Sequence, residues 1–153
     1  MYSKEQVKEF NREFWDEFKK YSKKRKKNKW IMQDTGINRV TLKFDIDNEK
    51  ARVGFDIQYH DLEKRIYYYE KFESMKSILE DALGTEMIWD LEYPVTDEKQ
   101  MAKIYIEKQN VGIYKKETWN DVFSFFYKNM KILERLFNEY YDFIKYEPDY
   151  GTN

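Results

Sequence analysis

The stretch NRVTLKFDIDNEKARVGFDIQYH, residues 38–60, contains two runs in which apolar and polar side chains alternate. Such alternation predicts two half-buried β-strands, because successive side chains of a strand point to opposite faces. If Asn48 and Glu49 form a two-residue turn, apolar residues meet apolar ones and opposite charges meet across the hairpin. The predicted cross-strand pairs are Asp47–Lys50, Asp45–Arg52, Phe44–Val53 and Leu42–Phe55. A four-residue loop is the alternative, since the turn lacks the preferred Asn-Gly pair.

The residues before the hairpin predict a helix. Ser3 and Gln6 form a capping box, in which each side chain hydrogen-bonds the free backbone N–H of the other residue. Apolar residues then recur at three- and four-residue spacing, which gives the helix one buried face. The helix is therefore predicted from Ser3 to Tyr21 or slightly beyond.

Two further helices are predicted after the hairpin. Asp61 is a suitable N-cap for a helix over residues 62–83, and Gly84 is suited to end it in a left-handed conformation. A long run of apolar residues at helical spacing predicts the last helix over residues 117–146.

Two more strands complete the pattern. TEMIWDLEY, residues 85–93, and AKIYIEK, residues 102–108, again alternate, and residues 111–114 are predicted as a further strand or an edge. The predicted fold class is α+β, with a mainly antiparallel sheet of about four strands packed against three helices in the order α-β-β-α-β-β-α. The chain is predicted to be a single domain over residues 1–153, with residues 147–153 as a frayed tail.

Composition excludes several classes of function. The 153 residues include no cysteine, which excludes disulfides, thiolate nucleophiles and cysteine-bound metals. The five glycines are scattered, so there is no glycine-rich phosphate-binding loop. The N-terminus has no apolar signal region and no stretch is long enough to span a membrane, which favours a cytoplasmic location with no membrane partner. No cofactor, metal or catalytic residue is predicted.

The positive charge is unevenly distributed. The formal net charge is −1, yet eight cations and no acid lie between residues 19 and 29. One interpretation is an arm that binds nucleic acid without sequence preference, with cations on phosphates and an indole stacked on a base. Its candidate residues are Lys23, Lys24, Arg25, Lys26, Lys27, Lys29 and Trp30. The favoured interpretation is a solvated helix end, where cations offset the helix dipole and Trp30 returns the chain to the core.

The residues that resemble catalytic groups have structural interpretations. His60 precedes Asp61, but neighbours on a strand point to opposite faces and Asp61 suits a helix cap. Asp45 and Asp56 superficially match the acidic residues of metal-dependent nucleases. The predicted register places Asp45 opposite Arg52 and separates the two aspartates by about 13 Å, too far to share one cation. A degenerate nuclease-like domain is therefore a minor alternative.

The last predicted helix carries more apolar residues than one buried face needs. It is predicted either as a central core helix or as a homodimer face through residues 117–146. The triplet Tyr67, Tyr68 and Tyr69 is not interpreted as a ligand surface. Helical geometry predicts Tyr69 inward, Tyr68 at the boundary and Tyr67 outward.

Five segments spread over residues 3–145 carry a family resemblance. In chain order they are EFWDEFKKY, WIMQDTGI, FDIDNEKARVGFDIQYH, LEDALGTEMIWDLEY and VGIYKKETWNDVFSFF. Together they resemble the bacterial domain of unknown function 4268 family, whose members occur as single small proteins and as domains appended to nuclease-like or other defence-related modules. No catalytic residues are assigned to that family, so the resemblance implies a fold and a defence-related context. We therefore predict a non-enzymatic interaction or accessory module.

Overall fold

A computed structural model describes residues 1–147. Its elements are α1 (Lys4–Lys24), β1 (Val40–Ile46), β2 (Lys50–Ile57), α2 (Leu62–Glu73), α3 (Lys76–Leu83), β3 (Ile88–Pro94), β4 (Gln100–Gln109), α4 (Trp119–Glu139) and α5 (Tyr141–Lys145). The predicted α+β class is confirmed. Of the tail predicted over residues 147–153, all but the first residue lie outside the described part. No helix within the described residues is long and apolar enough to cross a membrane.

The hairpin forms as the alternation predicts. β1 and β2 pair antiparallel, with Asp45 opposite Arg52 and apolar pairs at Phe44–Val53 and Leu42–Phe55. The two-residue turn is confirmed and the four-residue alternative is wrong. The reason is that the Asp47 side chain accepts hydrogen bonds from the backbone N–H groups of residues 49 and 50, at 2.7 and 2.8 Å. An Asx-type turn thus replaces the Asn-Gly turn.

The sheet has the strand order β1-β2-β4-β3, and each neighbouring pair is antiparallel. On its covered face, buried apolar side chains pack against the helices. Phe55 lies 4.4 Å from Phe72 of α2 and Phe44 lies 4.7 Å from Phe126 of α4, measured between ring centroids. The residues that alternate with these point to the other side of the sheet. We call that side the open face; its charged side chains bond to one another across the strands, as in Arg52 with Glu107 and Lys103 with Asp56.

The predicted helix ends are confirmed. Ser3 and Gln6 make the capping box, with hydrogen bonds of 2.8 and 3.2 Å. Asp61 caps α2, where its carboxylate accepts a 3.2 Å hydrogen bond from the Lys64 backbone. Gly84 ends α3 with φ at 75°, a left-handed conformation that glycine adopts without strain.

Residues 62–83 do not form one helix, so that prediction is wrong. The chain bends between α2 and α3, where the Met75 N–H donates to the Phe72 carbonyl three residues earlier, at 2.9 Å. The Ser74 hydroxyl donates a 2.6 Å hydrogen bond to the Lys71 carbonyl. Serine hydroxyls that bond nearby carbonyls compete with the helical ladder, which accounts for the bend.

The tyrosine triplet is buried differently from the prediction. Tyr68 is 3% exposed, whereas Tyr67 and Tyr69 are half-buried. The prediction that Tyr69 points inward and Tyr68 lies at the boundary is therefore wrong. It assumed one continuous apolar stripe, whereas α2 on its own buries Arg65, Tyr68 and Phe72.

The helix predicted over residues 117–146 is also divided. A 3₁₀ turn at Lys116–Thr118 precedes α4, and the chain leaves helical geometry at Tyr140 before α5. The buried side chains of α4 are Trp119, Val122, Phe123, Phe126, Asn129, Met130, Leu133, Glu134, Leu136 and Phe137. The interpretation of this segment as a central core helix is confirmed for α4.

Residues 111–114, predicted as a further strand or an edge, do not form a strand. The backbone N–H groups of Val111 and Ile113 donate hydrogen bonds of 3.3 and 2.9 Å to carbonyls of the hairpin turn. Between them, Gly112 lies so close to the turn that a Cβ atom would be 2.3 Å from the Asn48 carbonyl oxygen. Only glycine allows this approach, so the segment closes the end of the hairpin.

Candidate functional site

The open face is the first candidate surface. Besides the apolar Ile88 and Met101, its strand residues include many that are charged or aromatic: Lys43, Asp45, Arg52, Asp56, Asp90, Tyr93, Lys103, Tyr105 and Glu107. Antiparallel pairing of β2 with β4 puts Arg52 opposite Glu107 and Asp56 opposite Lys103. Arg52 on β2 and Lys103 on β4 therefore each meet an acid on the other strand.

Arg52 is the centre of a charged cluster at one end of the open face. Its guanidinium donates hydrogen bonds to Asp45, Asp47 and Glu107 at 2.8, 2.9 and 3.0 Å. Burial acts to lower the pKa of Arg52, but the hydrogen bonds to Asp47 and Asp45 outweigh it and raise the pKa. The cluster is thus a fixed group of opposite charges.

Asp47 connects this cluster to the hairpin turn. Burial acts to raise the pKa of Asp47, but hydrogen bonds from the Glu49 backbone, the Arg52 side chain and the Lys50 backbone outweigh it, so the pKa is lowered. One carboxylate therefore shapes the turn and orients the arginine.

Asp56 and Lys103 form a buried ion pair at the middle of the open face. Lys103 Nζ lies 2.9 Å from Asp56 Oδ1, and the two side chains are 7% and 1% exposed. Asp56 Oδ2 is buried without a hydrogen-bond partner among residues 1–147. Burial of two charges costs several kcal/mol per ion, which their attraction offsets only with good geometry.

Two tyrosines accompany the buried lysine. Lys103 Nζ lies 5.4 Å from the Tyr93 ring centroid and 5.8 Å from that of Tyr105. Both rings are half-buried, and burial raises the pKa of Tyr105. Opposite Tyr105 stands Gly54, where a Cβ atom would lie 2.1 Å from the Ile104 carbonyl oxygen, so only glycine lets the strands approach here.

The register that weighed against a shared metal site is confirmed. Asp45 lies opposite Arg52, and Asp56 lies opposite Thr41. Positions 41 and 45 are four residues apart on one strand, which separates the two carboxylates by about 13 Å. Within the described part of the chain, no group of three or more His, Asp or Glu side chains could hold a metal ion.

His60 and Asp61 have separate partners. His60 Nδ1 lies 3.0 Å from the Gln100 carbonyl oxygen, and the Asp61 carboxylate accepts the helix-capping bond from Lys64. The interpretation of Asp61 as a helix cap is confirmed, whereas His60 lies beyond the end of β2 at Ile57 rather than on the strand. They are not arranged as a general base with an orienting acid.

The basic end of α1 is the second candidate surface. α1 continues to Lys24, so Lys23 and Lys24 lie in its last turn, where cations offset the helix dipole. Arg25 lies over the Tyr21 ring, 3.4 Å from its centroid, and Lys26 has a left-handed backbone with φ at 62°. All four cations are exposed.

Lys27 and Trp30 attach the following loop to the core. Lys27 Nζ lies 2.7 Å from Glu134 Oε1, and Glu134 Oε2 accepts a 2.5 Å hydrogen bond from the Ile31 backbone. The Trp30 ring is parallel to that of Phe18, with centroids 6.3 Å apart. The interpretation that Trp30 returns the chain to the core is confirmed.

A groove of about 320 Å³ opens between the end of α1 and this loop. We call it the aromatic groove. Its apolar lining is Trp15, Phe18, Trp30, Met32 and Phe44, and its polar lining is Lys19, Ser22, Lys27, Asn28 and Lys29. The groove places an aromatic surface directly beside the candidate nucleic-acid-binding residues.

Sequence reasoning missed the ion pair of Asp56 with Lys103. A usable signal was present: Arg52 and Asp56 are four residues apart, and so are Lys103 and Glu107. Antiparallel pairing of these two strands brings opposite charges together at both positions. The signal requires the prediction that β2 pairs with β4, which the hairpin alone does not supply.

The chain is thus an α+β protein with a four-stranded antiparallel sheet, in which helices pack on the face opposite the open face. A family model described as Domain of unknown function (DUF4268) matches residues 10–141. The chain belongs to that family, which confirms the resemblance carried by the five sequence segments. Comparison with curated proteins and with solved structures finds no match in either.

Proposed function

We propose that the protein is a non-enzymatic interaction module, accessory to a defence-related system, that binds a protein partner through its open face. The buried pair of Asp56 and Lys103 carries the proposal. An apolar pair of similar volume is often as stable as a buried ion pair or more so, so stability alone does not explain charges at this position. The two side chains are only 1% and 7% exposed, so the pair supports recognition by fixing the strand register and the exposed side chains around it.

The residues around the ion pair support a contact surface. Protein interfaces are enriched in tyrosine and arginine, which supply large, rigid contact areas and directed hydrogen bonds. The open face presents Tyr93, Tyr105 and Arg52 on three adjacent strands, each held by neighbours on the same face. A partner would therefore meet a surface whose side chains are already ordered, which lowers the entropic cost of binding.

Site-specific photocrosslinking in cells tests the proposal. A photoreactive phenylalanine analogue replaces Tyr105 on the open face or, as the matched control, exposed Asp81 on α3. We expect one discrete adduct from position 105 and none from position 81. Adducts at both positions, or at neither, contradict binding through the open face.

A second copy of this chain is an alternative partner, in line with the predicted homodimer through residues 117–146. Most of the apolar surface of α4 is already buried in its own chain, and Phe143 of α5 is an exposed aromatic side chain nearby. Light scattering over a range of protein concentrations decides between the partners. A dimer that Phe143→Asp dissociates supports self-association, whereas a monomer at every concentration rules it out.

Nucleic-acid binding without sequence preference is the second candidate function, and the aromatic groove beside the basic run favours it. Lys23, Lys24 and Lys26 are exposed and make no ion pair within residues 1–147. Free cations of this kind can neutralise phosphates. Lys27 is a poor choice for mutation, because its removal leaves buried Glu134 without its cation.

Fluorescence anisotropy with a labelled oligothymidylate tests this second function. We expect the Lys23→Ser, Lys24→Ser, Lys26→Ser variant to bind more weakly, with the slope of log affinity against log salt reduced by about 2. The matched control replaces three exposed lysines away from the basic run, Lys43, Lys99 and Lys145. Equal losses in the two variants indicate a general charge effect and contradict a basic-run site.

A degenerate metal-dependent nuclease-like domain is the weakest proposal. The ion pairs of Asp45 with Arg52 and of Asp56 with Lys103 occupy the carboxylates that such a site would need. Calorimetric titration with magnesium tests it. Tight binding that Asp56→Ala abolishes supports the nuclease-like site, and no binding rejects it.

A further inference from the structure

We propose that the aromatic groove binds one unpaired base of a single-stranded nucleic acid while neighbouring lysines contact its phosphates, an inference that rests on the nucleic-acid function proposed above. The groove lies between α1 and the loop that contains Trp30. Base stacking on aromatic side chains combined with cations along the backbone is the usual chemistry of single-strand binding.

Four aromatic rings define the groove. Phe18 and Phe44 form its floor, since they are only 4% and 6% exposed and their centroids are 5.0 Å apart. Trp15 and Trp30 are half-buried, and each lies within 6.4 Å of both floor rings. Both indoles line the groove and are partly exposed, and Lys27 Nζ lies 4.9 Å from the Trp30 ring centroid, where a base would have to displace it in order to stack.

Cations line both sides of this aromatic surface. Lys19 lies on α1, and Lys27 and Lys29 lie on the loop. Lys27 is fixed by its ion pair with Glu134, whereas Lys29 makes only an exposed 3.4 Å contact with Asp34. Exposed ion pairs of this kind contribute little, so Lys29 can turn toward a phosphate at small cost.

Ser22 adds a polar group to the groove. Its residue is 3% exposed, and its hydroxyl has no hydrogen-bond partner within residues 1–147. Buried hydroxyl groups are almost always hydrogen-bonded, so a rotation of the Ser22 side chain toward the groove would let a ligand supply the missing partner. The polar edge of a base offers both donors and acceptors.

The size and the charge of the groove favour a single strand over other ligands. A volume of about 320 Å³ is at the lower end of the range for small-ligand pockets, which suits one planar group. Bases in a duplex are already paired and stacked, so they cannot enter. An acidic peptide offers an aromatic ring beside a negative charge only at isolated positions, whereas a single strand has a phosphate next to every base.

Three labelled oligomers of equal length separate the base from the phosphates. They are an oligothymidylate, an abasic oligomer with the same phosphates, and the oligothymidylate in a duplex. Stacking of one base is worth about 1–3 kcal/mol, so we expect the single strand to bind about 5- to 150-fold more tightly than the abasic oligomer. We also expect it to quench tryptophan emission, because the groove contains two of the four tryptophans.

Leucine substitutions then locate the stacking site. We expect Trp15→Leu or Trp30→Leu to remove the preference for the single strand over the abasic oligomer. Trp89→Leu is the control, since Trp89 lies on β3 and its indole N–H donates to Glu80. Thermal melting checks that each variant is folded. If a groove variant does not fold, the comparison of the three oligomers on the unaltered protein still decides whether a base is bound.

Each outcome has a separate meaning. Equal affinity for the single strand and the abasic oligomer, with both lost in the triple-lysine variant, overturns the base-binding groove but leaves nucleic-acid binding intact. Binding of the duplex as tight as the single strand also overturns it. If no oligomer binds, both proposals fail. Quenching by an acidic, tyrosine-containing peptide but not by the oligothymidylate assigns the groove to a protein ligand and overturns the proposal.

Discussion

Phe55 and Asp56 are neighbours on β2 and each is 1% exposed, yet they point to opposite faces of the sheet. Phe55 stacks on Phe72 of the helix layer, whereas Asp56 pairs with Lys103 on the neighbouring strand. The covered face is thus held by apolar area and the open face by paired charges. Two neighbouring residues of one strand are therefore equally buried for different reasons, one by apolar packing and the other in an ion pair.

The two faces contribute differently to the fold: one to its stability and the other to its strand register. Burial of a phenylalanine side chain contributes free energy in proportion to its area, with little dependence on which apolar neighbour it meets. A buried ion pair contributes little net free energy but penalises any arrangement that separates the two charges. We therefore expect the covered face to determine how stable the domain is, and the open face to determine the exact register of β2 and β4.

The largest expected effect is on the covered face. Phe55→Ala removes the ring that packs on Phe72 and leaves a cavity, so we expect the free energy of unfolding to fall by about 3–5 kcal/mol. Urea denaturation followed by circular dichroism measures this change. A loss below about 1 kcal/mol would contradict the view that this face dominates stability.

The next effect is on the open face. Lys103→Met leaves the Asp56 carboxylate buried without a cation, so we expect a loss of about 3 kcal/mol at neutral pH. Urea denaturation at neutral pH measures this loss, and a change below about 1 kcal/mol would contradict the assignment.

The double variant Asp56→Leu, Lys103→Met sharpens the same comparison. It removes both charges, so we expect its free energy of unfolding to be within about 1 kcal/mol of the original or above it. If the double variant is as unstable as Lys103→Met alone, the ion pair is itself a source of stability. The contrast between the two faces would then be wrong.

A smaller effect is expected at the hairpin turn. Asp47→Ala removes two backbone hydrogen bonds and one to Arg52, so we expect a loss of about 1–2 kcal/mol in urea denaturation. Because the pKa of Asp47 is lowered in the fold, its contribution is present above the unfolded value of about 3.9 and is lost as the pH falls through the folded pKa. Asp47→Asn should keep the turn but remove this pH dependence of stability. If the stability of Asp47→Asn depends on pH as strongly as that of the original protein, the assignment is wrong.

The smallest effect is expected at an exposed position of the open face. Lys43 lies opposite Gly54 and makes no ion pair within residues 1–147. We expect Lys43→Thr to change the free energy of unfolding by less than about 0.5 kcal/mol. A larger change would indicate that Lys43 belongs to the charge network, and it would be seen in the same urea titration.

Local interactions explain which parts of the fold could be predicted. The hairpin register and the caps at Ser3, Asp61 and Gly84 depend on residues close in sequence, and all of them are confirmed. The division of residues 62–83 into two helices was not predicted. A serine within a helix can leave the backbone hydrogen bonds intact, or its hydroxyl can bond a nearby carbonyl and bend the helix. Tertiary packing decides between the two.

The candidate sites, too, could be predicted only where they depend on residues close in sequence. The basic run is visible in the sequence, but the groove beside it requires α1, the following loop and β1 to meet, which no local pattern encodes. The ion pair of Asp56 with Lys103 joins residues on strands that are separated by two helices and a strand in the chain. Only the strand order brings these two residues together.

The contact of Gly112 with the hairpin turn affects where the domain can accept new sequence. A two-residue turn at the end of a hairpin is usually a tolerant position for an inserted peptide or a new chain terminus. Here residues 111–113 cover that turn, so an insertion at Asn48 would displace the backbone of the segment that leads into α4. The exposed connection between β3 and β4, residues 95–99, has no such cover. Fusion tags, reporter domains and circular permutants of this protein are therefore better placed between β3 and β4.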